Sequence, residues 1–270
     1  MSLVTTNWLE NNLKKVKIID CSWHMPNVNR NSYEEYIEEH IPEAIFFDLD
    51  KNSKINTDLP HMLPDSVYWE NIIGSLGISN NDRIIIYDNS DVISSCRCWY
   101  NFIYFGHNPK LVSVLDGGLK KWLKEKKIVT NNKTKLLRSI YKSKENKNLV
   151  KNKNQIDTNI NKKEFVVIDA RGKERFEGKV AEPRKNVRSG SIPNSICLPY
   201  KEIINDNNTF KHTAEISKKF DEIIESGNDN RVFSCGSGIT ACVLALAYSL
   251  VNNKYSPKIY DGSWAEYGKI

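Results

Sequence analysis

Two α/β domains in tandem, each with a mainly parallel central sheet and helices on both faces, are expected from length, element alternation and internal self-similarity. The chain has 270 residues, too long for one domain of the usual ~100 to 150 residues and about right for two. Short β-branched runs bounded by Asp, Asn or Gly alternate with helix-period stretches such as Ser66 to Leu76 and Ala241 to Val251. That alternation is the pattern of parallel sheets covered on both faces. Four landmarks also recur in the same order, about 145 to 151 residues apart.

In the first half the landmarks are the strand Val16-Lys-Ile-Ile-Asp20, the turn His40-Ile-Pro-Glu-Ala44, the strand Arg83-Ile-Ile-Ile-Tyr87 and the ending Asp116-Gly-Gly118 with Trp122. The second half answers with Phe165-Val-Val-Ile-Asp169, Ser191-Ile-Pro-Asn-Ser195, Arg231-Val-Phe-Ser-Cys235 and Asp261-Gly-Ser-Trp264. Between the copies, residues 131–163 are rich in Lys and Asn and largely lack apolar periodicity, so they read as a solvated linker. Residues 1–130 and 164–270 are then the two domains.

Composition narrows the function classes. An apolar share of 40%, 10% aromatics and six tryptophans suit a globular protein. The N-terminus lacks the pattern of a secretory signal, and the longest apolar run, Ile239 to Val251, is short of the ~20 residues that span a bilayer; a soluble, cytoplasmic protein without membrane contact is expected. The six cysteines, Cys21, Cys96, Cys98, Cys197, Cys235 and Cys242, have no framework or metal-knuckle spacing. They read as reduced thiols. His40, His61 and His212 lie far from second ligands, so neither a metal nor a cofactor is expected. The net charge of +6 comes with no interleaved aromatics or recognition motif, which speaks against nucleic acid and supports only weak attraction for small anions.

The chemistry concentrates after the strand Arg231 to Cys235. Gly236-Ser-Gly-Ile-Thr240 reads as a tight loop and Ala241 onward as a helix. Gly236 and Gly238 are expected to take positive φ, curling backbone N–H groups toward one point that also receives the positive end of the helix. A sulfur there is favoured as an anion, and the thiolate is the nucleophilic form of cysteine. An arbitrary cysteine at a strand end is a small buried residue; the flanking glycines and helix start single out Cys235, whereas Cys242 reads as core. Cysteine phosphatases use a similar loop but need an arginine six residues after the nucleophile, where this chain has Ala241. Phosphoryl transfer therefore lacks its charge partner.

Together, Cys235-Gly-Ser-Gly-Ile-Thr240, the strand ends Asp20 and Asp169, His40 to Ala44, Asp116-Gly-Gly118 and Asp261-Gly-Ser-Trp264 resemble the tandem-domain sulfurtransferases of the rhodanese family. The resemblance implies two rhodanese-like domains, the first lacking the loop cysteine because Asp88-Asn-Ser-Asp91 stands in its place. Rhodaneses proper carry basic residues directly after the cysteine; this loop is similar to the mercaptopyruvate branch, with Ile239 for valine. Implied is a sulfur atom passing from 3-mercaptopyruvate through a persulfide on Cys235 to cyanide or to a thiol acceptor such as thioredoxin, with release of pyruvate. Thiosulfate as donor is the alternative, and a binding module that has lost its chemistry a further one.

The same resemblance distributes roles. Asp50, at the end of Phe46-Phe-Asp-Leu-Asp50, and His61, in His61-Met-Leu-Pro64, would join Ser237 as a triad bringing the two halves together, the carboxylate orienting the imidazole and the imidazole governing the serine proton. Arg175 and Arg184 would grip the donor carboxylate through guanidinium forks, beside the loop residues Gly236, Gly238, Ile239 and Thr240. Arg188 is read as a solvated surface residue. Where the family has His and Gly in the second turn, this chain has Ser191 and Asn194.

Overall fold

The computed structural model describes residues 2–223, 230–252 and 256–270. The chain forms two compact units: Met1–Ile55 with Leu63–Asn146 and Asp206–Thr209, and Asn56–Met62 with Lys147–Asn205 and Phe210–Ile270. A short segment of the first half, carrying His61, thus belongs to the second unit.

The first unit runs β1 (Leu3–Val4), α1 (Thr6–Glu10), β2 (Lys17–Asp20), α2 (Ser32–Glu38), β3 (Ala44–Phe46), α3 (Ser66–Ser75), β4 (Ile84–Tyr87), α4 (Ser95–Tyr104), β5 (Val112–Leu115) and α5 (Gly118–Lys124). The second repeats it as β6 (Val150–Lys151), α6 (Lys153–Lys162), β7 (Val166–Asp169), α7 (Lys173–Phe176), β8 (Ile196–Cys197), α8 (Thr213–Ile223), β9 (Arg231–Ser234), α9 (Thr240–Val251), β10 (Ile259–Tyr260) and α10 (Ser263–Tyr267). Strand orders are β1-β5-β4-β2-β3 and β6-β10-β9-β7-β8, with every pairing within them parallel. The duplication read from the landmarks is therefore a duplication of topology.

Burial follows from this layering. β4, β5 and β9 are buried at every position, as strands covered on both faces must be. The helix after the central strand is buried nearly all round: α9 buries an unbroken run from Ala241 to Tyr248, and α4 from Ser95 to Phe102, Arg97 and Asn101 included. In each sheet the chain places one neighbour beside β2 or β7 and then crosses to add strands on the other side. The loop following β4 or β9 sits at the carboxyl edge beside that reversal, where open parallel sheets bind ligands.

The expected linker is corrected by the structure. Residues up to 146 belong to the first unit, where Ser139 N–H donates to Gly74 O, Lys144 N–H to Phe105 O and Asn146 N–H to Tyr104 O at 2.8–2.9 Å, and Tyr141 stacks on His107. From 147 the chain builds β6 and α6 of the second unit. Each element turns only one or two residues inward, Tyr141, Leu149 and Ile156 among them, so polar composition hides them. One local mark was available: Asn152 and Gln155 form a reciprocal capping box at the start of α6.

Asn194, where the family has glycine, is left-handed at φ 62°, and Glu43 at the matching position of the first half is left-handed at φ 67°. The turn demands that conformation in both copies, and asparagine tolerates it better than glutamate.

The strand-end aspartates are stabilised differently. Asp169 is paired with Arg171. Asp20 has Ser22 instead, whose N–H and Oγ–H donate to Oδ1 at 2.9 and 2.6 Å, and burial raises its carboxyl to about 6. Because this lies above the unfolded value of ~3.9, the folded state holds the proton more tightly, and that stability is present below pH ~4 and lost as pH rises through 6. Replacing Asp20→Asn removes the titration while keeping an acceptor for Ser22. Urea midpoints measured from pH 4 to 7 should shift in the variant's favour relative to the parent as pH rises, by on the order of 2 kcal/mol; a pH-independent difference would refute the assignment.

Candidate active site

Cys235 follows β9 directly and is 2% exposed. Its position is held from the chain end: Ser263 Oγ accepts from Cys235 N–H at 3.1 Å, Trp264 N–H donates to Cys235 O at 2.9 Å, and Ala265 N–H to Gly236 O at 2.9 Å. Among the described residues the N–H groups of Gly236, Ser237 and Ile239 have no protein acceptor, and the twelve-residue helix α9 begins immediately beyond, at Thr240. Unpaired N–H groups ahead of a helix N-terminus stabilise negative charge.

The two glycines do different work, which corrects the expectation that both take positive φ. Gly238 is left-handed at φ 78°; Gly236 is not. Gly236 leaves room for the arginines instead: a Cβ there would stand 3.2 Å from Arg175 Nη2, close enough to press on it, and 3.6 Å from Arg184 Nη1, an ordinary contact. Both predicted carboxylate-binding arginines therefore lie against the nucleophile loop.

Ser237, 6% exposed, links two charged or titratable groups. Arg184 Nη2 donates to its Oγ at 3.2 Å, and His61 Nδ1 lies 3.0 Å from the same oxygen. With Arg184 occupying one lone pair, the hydroxyl proton is available to His61. The imidazole is buried, and its backbone is left-handed at φ 58°, an uncommon conformation for a residue with a Cβ and one that concentrates at functional sites. Asp50 lies in the turn after β3 of the first unit, where Trp23 Nε1–H donates to Oδ2 at 3.0 Å. Ile239 is buried and Thr240 opens α9.

The remaining cysteines are placed as packing. Cys242 lies within α9, fully buried, its Sγ–H donating to Gly238 O at 3.2 Å. Burial, followed by the neighbouring Asp169, pushes Cys197 up to about 11. Burial and Cys98 drive Cys21 well above its ordinary value. Cys96 and Cys98 are on α4.

Three residues escaped the sequence reading. Ser263 is left-handed at φ 51°, where the first half has Gly118 at φ 56°. A serine kept where glycine is easier was the available signal, and its hydroxyl is what secures Cys235. Arg171 and Glu182 form a buried pair beside Arg175, visible beforehand only as charges near a strand end. Arg188, expected to be merely solvated, is exposed, but its guanidinium lies 4.7 Å from the Trp264 ring centroid and its carbonyl accepts from Trp264 Nε1–H.

In the first unit Asp88 occupies the position of Cys235. Its carboxylate accepts from Ser90 N–H at 2.8 Å and Ser95 N–H at 2.9 Å, while its carbonyl accepts from Leu119 N–H at 2.9 Å. The anion-binding loop is retained and filled by its own side chain.

The rhodanese-like domain model matches residues 5–125 and 152–269. This chain belongs to the rhodanese family. Its two rhodanese domains are 37% identical, over 98% of the chain and 75% of that protein, to thiosulfate/3-mercaptopyruvate sulfurtransferase 1, mitochondrial, of Arabidopsis thaliana. They are 34% identical to 3-mercaptopyruvate sulfurtransferase of Mus musculus, over 98% and 91% of the two chains. The crystal structure of SseA from Escherichia coli, described as showing the rhodanese fold and mechanism of 3-mercaptopyruvate sulfotransferases, superposes with a TM-score of 0.87 at 29% identity, covering 98% of this chain and 99% of that one.

Gly236→Ala should press the Arg175 guanidinium of the rhodanese loop site away from the loop, while leaving Arg184 in ordinary contact. Steady-state sulfur-transfer assays should show kcat/KM reduced about tenfold or more, with the melting temperature little changed because the φ of Gly236 is not left-handed.

Proposed function

We propose that this chain is a 3-mercaptopyruvate sulfurtransferase working through a persulfide on Cys235. The observation that carries the reading is the pair of guanidiniums, Arg175 and Arg184, packed against Gly236 beside the nucleophile. A donor with a carboxylate near its sulfur suits that arrangement, since guanidinium forks bind carboxylates bidentately.

In this mechanism the Cys235 thiolate attacks the sulfur of 3-mercaptopyruvate. The sulfur–sulfur bond forms as the carbon–sulfur bond breaks, and the electron pair passes to the pyruvate enolate, which takes up a proton. Loop N–H groups and the α9 terminus stabilise charge on the sulfurs. Ser237, between His61 and Arg184, manages the proton. A thiol acceptor such as thioredoxin, or cyanide, then removes the outer sulfur. The reading includes a reducing, cytoplasmic setting, supported by six free cysteines.

Thiosulfate is the second donor to consider, because two guanidiniums also suit a dianion and relatives carry its name. The absence of a basic residue directly after Cys235 favours the keto acid. Turnover with each donor decides: 3-mercaptopyruvate should give the larger kcat/KM, with parallel double-reciprocal plots against acceptor. A higher value for thiosulfate would reverse the assignment.

Mass spectrometry after exposure to 3-mercaptopyruvate should find one added sulfur on the peptide bearing Cys235. Cys235→Ser should abolish it and lower turnover at least ~10³-fold. Ser237→Ala should still accept the sulfur but lower kcat by about 10- to 100-fold; unchanged kcat would remove the serine from the mechanism while leaving the persulfide intact.

A further inference from the structure

We infer that Glu182 is a positioning residue that sets carboxylate recognition by holding Arg175 against the nucleophile loop, with Arg171 as its own anchor; the inference rests on the keto-acid donor proposed above. Four charges alternate in sequence of contact: Asp169, Arg171, Glu182, Arg175. Arg171 Nε donates to both Asp169 oxygens at 3.0 and 3.1 Å, and Nη2 to Oδ2 at 2.7 Å. Its Nη2 also donates to Gly190 O at 2.8 Å, and Nη1 to Glu182 Oε1 at 2.8 Å. Glu182 in turn receives Arg175 Nε on Oε1 at 3.2 Å and Nη2 on Oε2 at 2.5 Å.

Burial shows which members are scaffold. The side chains of Arg171, Asp169 and Glu182 are 0%, 1% and 2% exposed, whereas Arg175 is 26% exposed. Trp264 closes the inner end, its ring centroid 4.6 Å from the Arg171 guanidinium. Although burial works against the charge on Arg171, its contacts with Asp169 and Glu182 raise its pKa above the ordinary value, so Glu182 faces a permanent cation. Glu182 is thus fixed from within and presents both oxygens outward as a fork.

That fork selects one edge of Arg175. With Nε and Nη2 committed to Glu182, Nη1 makes no hydrogen bond among the described residues. Nη2 lies 3.2 Å from where a Cβ of Gly236 would stand. Without the fork a long arginine side chain samples many rotamers, and each carboxylate bound must first restrict them. Glu182 removes that requirement before the donor arrives and touches neither donor nor Cys235.

Glu182→Gln and Glu182→Ala separate this role from a structural one. The glutamine keeps one neutral acceptor for Arg175; the alanine keeps none. KM for 3-mercaptopyruvate, and the inhibition constant of pyruvate measured as a product inhibitor, should rise together, by about fivefold in Glu182→Gln and about thirtyfold in Glu182→Ala, with kcat within about threefold of the parent. Alkylation of Cys235 by iodoacetamide, which is neutral and has no carboxylate, should be unchanged in both variants. An unchanged KM, or alkylation lost in step with KM, overturns the positioning role. A parent protein that is loaded by polysulfide but not by 3-mercaptopyruvate overturns the donor reading itself and the inference with it.

Discussion

The site depends on a pair of main-chain hydrogen bonds that tie the loop after β9 to the turn before α10. Trp264 N–H to Cys235 O and Ala265 N–H to Gly236 O fix the first two residues of the loop from a segment nearly thirty positions away in sequence. Ser263 adds its hydroxyl to the cysteine N–H. Once those groups are held, the direction in which α9 leaves and the N–H groups that remain unpaired follow from chain geometry. The turn can reach the loop because β10 pairs in parallel beside β9, so both strands deliver their following residues to the same edge of the sheet.

The two halves show one frame carrying opposite solutions. Leu119 N–H meets Asp88 O as Trp264 N–H meets Cys235 O, and Gly118 and Ser263 share the left-handed conformation. In the first half the anion is a carboxylate built into the chain and satisfied by Ser90 and Ser95. In the second the loop opens on a sulfur, and the neighbouring positive charge comes from Arg175 and Arg184. The two copies share the backbone frame and differ in what fills it.

Much of this could be read from residues alone, because the features concerned are local. Ile84 to Tyr87 and Arg231 to Ser234 declare buried strands by composition, and Cys235 is marked by its glycines and the apolar helix that follows. Asn194 shows its turn by replacing glycine with the side chain that best tolerates φ above zero. What stayed hidden depends on pairing over distance. Glu182 and Arg171 look like ordinary surface charges until the sheet brings Asp169 beneath them. The segment after residue 130 looks unstructured because a strap with one tyrosine, Tyr141, turned inward has no periodicity to detect. Gly236 looked like a conformational glycine and instead leaves room for a neighbour, a distinction that only the placement of Arg175 reveals.

The left-handed turn carrying His61 has a consequence for modularity. Asn56–Met62 folds with the second unit although it is encoded in the first half. A chain cut at the boundary of the duplication would separate Ser237 from His61, leaving Arg184 as the hydrogen-bond partner of its hydroxyl. The second half of the sequence is therefore not, by itself, the whole of the unit that surrounds Ser237.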